Sequence, residues 1–136
     1  QFRLYFEKAE RRKGQTGHNL LIMLETRLDN VVFRLGFAPS RAAARQMVMH
    51  GHVRVDGMRV DIPSYQVRSG QAVEISERAR QNDFVKNAVD TAAGRGIPKW
   101  LTLEAAAFKG QVISTPTRED VPLDINEQLI VELYSK

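Results

Sequence analysis

Hydrophobic residues at steps of three and four open the chain. Phe2, Phe6 and Ala9 fall on one face of a helix predicted from Phe2 to Lys13, with Arg3, Lys8, Arg11, Arg12 and Lys13 at polar positions. Gly14 stands where a C-terminal cap glycine would, so the Arg11-Arg12-Lys13 cluster lies at the helix C-terminus. Cations there favour the helix dipole, and a phosphate contact is compatible with that role. Leu21, Leu24, Leu28, Val31, Val32 and Leu35 then form a single apolar stripe along a long amphipathic stretch. Arg27, Asn30 and Arg34 fall on its other side, Gly36 closes it and Pro39 marks a break. Ser40 offers an N-cap to a short helix, Arg41 to His50, whose buried face is Ala43, Ala44, Met47 and Val48.

At Gly51 the period changes from 3.6 to 2. His52-Val53-Arg54-Val55, Asp56-Gly57 and Met58-Arg59-Val60-Asp61 spell a β-hairpin, because Asp-Gly suits a two-residue type I′ turn. That turn sets Val55 opposite Met58, Arg54 opposite Arg59, Val53 opposite Val60 and His52 opposite Asp61. Val53, Val55, Met58 and Val60 are expected on the core face, with His52, Arg54 and Arg59 on the other. Residues 63–70 read as a connector and Gln71 to Ile75 as a strand with Val73 and Ile75 inward. Phe84, Val85, Ala88, Val89 and Ala92 form a helical stripe ending before Gly94 and Gly96. Trp100 to Leu103 reads as a strand, Phe108 to Ile113 as a weaker one broken by Gly110, and Thr115 to Pro122 as a loop. Asp124 and Glu127 make a capping box for a last helix, Ile125 to Tyr134.

Composition narrows the class. The 136 residues are 43% hydrophobic and 26% charged, a globular balance, and contain no cysteine, which excludes disulfides and thiolate chemistry. The run from His18 to Phe37 carries Glu25, Arg27, Asp29 and Arg34, so it is no membrane span. Charge is uneven: residues 1–80 hold 14 basic and 8 acidic side chains, whereas residues 81–136 hold 6 and 8. That asymmetry fits either a polyanion facing the N-terminal part or a solvated basic face.

Within the basic part, Arg41 and Arg45 lie one helical turn apart with Gln46 beside them, behind a helix start whose free N–H groups suit a phosphate. No acidic residue occurs between Asp29 and Asp56, which favours an anionic ligand over local ion pairs. Arg54 opposite Arg59 repels unless something compensates, either a phosphate or simple splaying into water. Enzyme signatures are missing. There is no Walker loop, G-x-G-x-x-G or G-x-S-x-G, and no acid–base pair. His50 and His52 straddle a helix–strand boundary, which argues against a metal site, and no cofactor is expected.

Several stretches together resemble the bacterial small-subunit ribosomal protein four family. They are Arg27-Leu28-Asp29-Asn30-Val31-Val32, Gly36-Phe37, Ser40-Arg41, Ala44-Arg45-Gln46, His50-Gly51, the Asp56-Gly57 hairpin and Ser64-Tyr65-Gln66-Val67. Phe2-Arg3-Leu4-Tyr5, Lys13 to Gly17, Pro98-Lys99-Trp100-Leu101 and the ending Asp124 to Lys136 extend the match over the whole chain. The central module also resembles RNA-binding units of pseudouridine synthases, a heat-shock ribosome-binding protein and tyrosyl-tRNA synthetases.

The resemblance implies a cytoplasmic, ribosome-bound protein that binds small-subunit rRNA at a helix junction, nucleates assembly, contributes to translational accuracy and contacts ribosomal protein five. It also implies that the family's N-terminal segment is missing from this chain. The expected fold is α+β: a helical portion from 1–25 and 87–136, with an RNA-binding module of two helices and a small antiparallel sheet at 26–86. Arg41, Arg45, Arg54 and Arg59 are the first-choice RNA contacts, with Ser40, Gln46, His50 and His52 beside them. Arg3, Arg11, Arg12, Lys13 and Arg27 would extend the surface, although Arg27 has Asp29 or Asp56 as alternative partners. Two other classes, an RNA-targeting appendage of an rRNA-modifying enzyme and a ribosome-associated adaptor, share the central module's features.

Overall fold

The computed structural model describes residues 16–120. The predicted helices Phe2 to Lys13 and Ile125 to Tyr134 lie outside that range. The stretch predicted to carry one stripe is two helices, α1 (Thr16–Glu25) and α2 (Leu28–Arg34). The break is tertiary in origin. Leu28 donates its amide to the Tyr65 carbonyl at 2.8 Å, and Val67 donates to the Thr26 carbonyl at 3.0 Å, so the connector runs antiparallel to residues 26–28. Gln66 fastens the joint with its side chain, its amide N–H bonding the Met23 carbonyl at 3.0 Å and its oxygen lying 2.7 Å from the Thr26 hydroxyl.

Ser40 caps α3 (Arg41–Met49) as expected, accepting the Ala43 amide at 3.1 Å. The helix ends in a Schellman motif: Gly51, at φ +78°, donates to Val48 and His52 donates back to Met47. The chain turns directly into β1 (Val53–Val55) and β2 (Met58–Arg59), joined by Asp56 and Gly57 at φ +50° and +81°. Both positive values are those of a type I′ turn, and the pairing is Arg54 with Arg59 and Val55 with Met58, the register read from Asp-Gly.

β3 (Ala72–Ile75) pairs with β1, α4 (Glu77–Arg80) and α5 (Asp83–Arg95) follow, and β4 (Leu101–Glu104) and β5 (Lys109–Val112) complete one antiparallel sheet in the order β2-β1-β3-β5-β4. The class is α+β, and the part beyond residue 86 adds two strands to the module's sheet through the β3–β5 pairing. Val31 and Val32 of α2, Leu35 at its C-terminal cap, Ala44 and Val48 of α3, and Val85 and Val89 of α5 meet Val53, Val73 and Ile75 in one core with Phe37 and Trp100.

Four expectations change. Met58 is 72% exposed, because β2 is a two-residue edge strand and the core stops at Val55 and the half-buried Val60. Phe84 is 77% exposed, since it sits in the first turn of α5, where Val85 takes the inward position. Gly94 lies inside α5, which stops at Gly96 with φ +100°. Gly110 does not break its strand: it continues β5 because Leu35 lies against it, where any Cβ would collide. The four-residue helix α4, capped by Ser76 on the Ala79 amide, carried too short a pattern to be seen in advance.

Gly36 connects α2 to the rest of the core at φ +86°, and a Cβ there would run into Ala92 of α5. Gly36→Ala therefore meets both a left-handed backbone penalty and overpacking, a loss of about 2–4 kcal/mol. Urea unfolding of the two proteins measures it; an unchanged midpoint would show that α5 does not pack there.

Candidate nucleic-acid interface

The break between α1 and α2 buries polar groups that shape one end of the site. Glu25 is 1% exposed, yet it carries a carboxylate. Arg34, one of the residues expected on the polar side, reaches back to donate from Nε to Glu25 at 3.1 Å. Asn30, also expected on that side, is 6% exposed instead: its amide N–H bonds the Glu25 carbonyl at 2.7 Å and so closes the end of α1. Its oxygen in turn accepts from Arg41 Nε at 3.1 Å. The Arg41 guanidinium lies 4.9 Å from the centre of the Phe33 ring, with Arg34 at 5.6 Å from the same ring. Arg41 is thus an exposed cation oriented by a buried amide and an aromatic face. The lack of an acid between Asp29 and Asp56 did not leave it without a carboxylate, because Glu25 comes close through the fold.

Burial pushes the Glu25 carboxyl above its ordinary value of 4.5, outweighing the opposite pull of Arg34, Asn30 and Arg41. Arg27 takes the structural alternative: it grips Asp29 through Nε and an η nitrogen, both at 3.1 Å, with only 15% of its side chain exposed.

Arg45 stands exposed on α3 and makes no ion pair or hydrogen bond among the described residues. Arg54 and Arg59 are exposed on the sheet face away from the core. The Arg59 guanidinium lies directly on Gly51, in the space a Cβ would fill, so it reaches back from the edge strand to the end of α3. The Schellman turn sets His50 and His52 on either side of that glycine, with their rings 6.4 Å apart at 73°. Val60 donates to the Val53 carbonyl at 3.2 Å, continuing the register read from the turn, and the His52 carbonyl accepts the Ser76 amide at 2.8 Å on the other side of the strand. Arg3, Arg11, Arg12 and Lys13 lie outside the described residues.

A feature hidden from the sequence is the row of charges across the outer sheet face. Register places Arg59 beside Arg54, Arg54 beside Glu74, Glu74 beside Lys109 and Lys109 beside Glu104. Glu74 therefore relieves the Arg54–Arg59 repulsion from the far side, and Arg80 approaches the same carboxylate at 3.6 Å. The positive end of the row is the hairpin. Among the described residues no three His, Asp or Glu side chains converge as metal ligands, and no helix is long and apolar enough to cross a membrane.

Helix, tight glycine turn and hairpin, with arginines on the helix and on the outward face of the hairpin, form a module that exposes cations on its surface. Residues 26–73 match the S4 domain, starting at the helix break and ending in β3. Over all 136 residues the chain is similar to proteins named small ribosomal subunit protein uS4: it is 55% identical to that of Geotalea daltonii, 56% to that of Pelobacter propionicus and 54% to uS4A of Myxococcus xanthus. The chain spans 65% of the length of each of these proteins.

Glu25 titrates higher in the folded protein than in the unfolded chain, so at pH values between the two the folded state holds a proton that the unfolded state has lost. Its contribution is complete below the ordinary value and fades as pH rises through the folded one. Wild type should therefore lose stability relative to Glu25→Gln as pH is raised from 4.5 towards neutrality. Urea unfolding of both proteins across that range checks the sign; a constant difference would mean that the carboxyl is not desolvated.

Proposed function

We propose that the chain is an rRNA-binding constituent of the small ribosomal subunit. The observation that carries this reading is similarity to uS4 proteins along all 136 residues of the chain, combined with a hairpin whose outward arginines stand beside a helix carrying Arg41 and Arg45. Binding, and no chemical step, is the work. Double-helical RNA hides its major-groove edges, so recognition rests on phosphates, 2′-hydroxyls and the shape of a junction. Arginine serves this because its planar fork gives a phosphate two parallel hydrogen bonds while the charge attracts it.

Arg45, Arg54 and Arg59 are the phosphate contacts of this reading. Arg41 joins them from the α2 side, aimed by Asn30 and Phe33. Arg3, Arg11, Arg12, Lys13 and Arg27 extend the surface, Arg27 while holding Asp29, and Ser40 adds a contact at the start of α3. A primary role at a multi-helix junction, nucleating assembly, contributing to accuracy and touching ribosomal protein five on a cytoplasmic ribosome, completes the proposal. Its support is the family resemblance. The division into 1–25 with 87–136 and 26–86 remains part of the same reading, with the β3–β5 pairing as the mechanical link between them.

Each phosphate neutralised releases counterions, at about 0.9 in log–log slope per contact on duplex DNA and about the same or less on RNA. Replacing Arg45, Arg54 and Arg59 together by alanine should flatten the salt dependence of binding to a small-subunit rRNA junction by roughly two to three units. The loss should be similar for unrelated structured RNAs, since phosphates carry no base identity. A filter-binding salt series on wild type and the triple variant, with circular dichroism to verify folding, measures it. An unchanged slope in a folded triple variant would move the RNA to another face.

A further inference from the structure

A groove of about 560 Å³ opens between the end of α3 and the α4–α5 turn, beside the Gly51 turn on which the Arg59 guanidinium rests. Its size falls within the usual range of small-molecule sites. Val85 and Met47 supply an apolar floor. Gln46, His50, His52 and Arg78 bring polar groups to its walls. Two imidazoles meeting at 73° give one wall an aromatic face and a ring edge, and the Gln46 amide can both donate and accept. Arg78 adds a cation from the opposite helix. We propose that this groove takes a single unpaired nucleotide of RNA, its base against the histidines and Gln46 and its phosphate towards Arg78.

This inference rests on the RNA-binding reading above and adds to it a place where a base, and not only backbone, is recognised. Phosphate contacts orient an RNA and follow its shape but do not read a base. Unstacked bases are the part of RNA that proteins read by stacking on aromatic rings, histidine among them, and by hydrogen bonds to exposed base edges. The groove carries both components. The hairpin arginines are assigned to backbone phosphates in the reading above, so variants of the two residue sets test the two sites apart.

The probes are two labelled RNA hairpins of equal length: one fully paired, the other with a single 2-aminopurine bulge. The full chain should bind the bulged hairpin about tenfold more tightly, the scale expected of one stacked base, with a change in 2-aminopurine emission. His52→Ala and Arg78→Ala should each erase most of that preference while leaving affinity for the paired hairpin within about twofold. Gln46→Met, a neutral change of similar size at an exposed helix position, covers the case in which the histidine variant fails to fold, and should weaken the bulged hairpin selectively. Equal wild-type binding of both hairpins with constant emission would overturn the nucleotide site while leaving the backbone reading standing. Failure to bind either hairpin would overturn both. Equal loss on both hairpins in a folded groove variant would overturn the base-selective role.

Discussion

The backbone of Thr26 to Leu28 can satisfy its hydrogen bonds by continuing a helix or by pairing with another segment, and it pairs with residues 65–67. Most of what the site does depends on that choice. Interrupting the helix leaves the last carbonyls of α1 without intrahelical donors, and Asn30 supplies one of them from inside the next helix. Glu25 is then held in the interior, where Arg34 must follow it. The same Asn30 has its oxygen left to orient Arg41. A continuous helix would have put Asn30 and Arg34 in water and left Arg41 unanchored.

Burial of an ion pair is a poor source of stability in itself, because desolvation offsets most of the attraction. Here desolvation is the larger influence on the Glu25 carboxyl. The arrangement is better understood as fixing geometry: it sets the angle of α2 against α1 and gives an exposed arginine one direction. A cation held this way loses less side-chain entropy on meeting a phosphate than one that swings freely.

A second constraint acts at Gly51. Only a residue that tolerates positive φ allows α3 to end in the Schellman turn, and only a residue without a Cβ leaves room for the Arg59 guanidinium. One glycine thereby sets the helix-to-strand angle, the spacing of His50 and His52, and the seat of an arginine from the neighbouring strand. Local and tertiary demands coincide at this position, which is why a short sequence signal located it correctly.

Wherever the information was local, the sequence determined the outcome. The Ser40 cap, the glycine stop at Gly51, the Asp56-Gly57 turn with its register and the inward Val73 and Ile75 each follow from a few adjacent residues. The outward arginines of the hairpin followed from the same register. Met58 and Phe84 did not follow, because alternation assigns a face but cannot say where the core ends. The split of α1 from α2, the burial of Glu25 and Asn30, the Glu74 partner of Arg54 and the groove against Arg78 were decided by tertiary structure alone. Each joins residues 5 to 40 or more positions apart, and only the folded chain fixes which distant backbone a strand pairs with and which charge comes to rest beside a buried carboxylate.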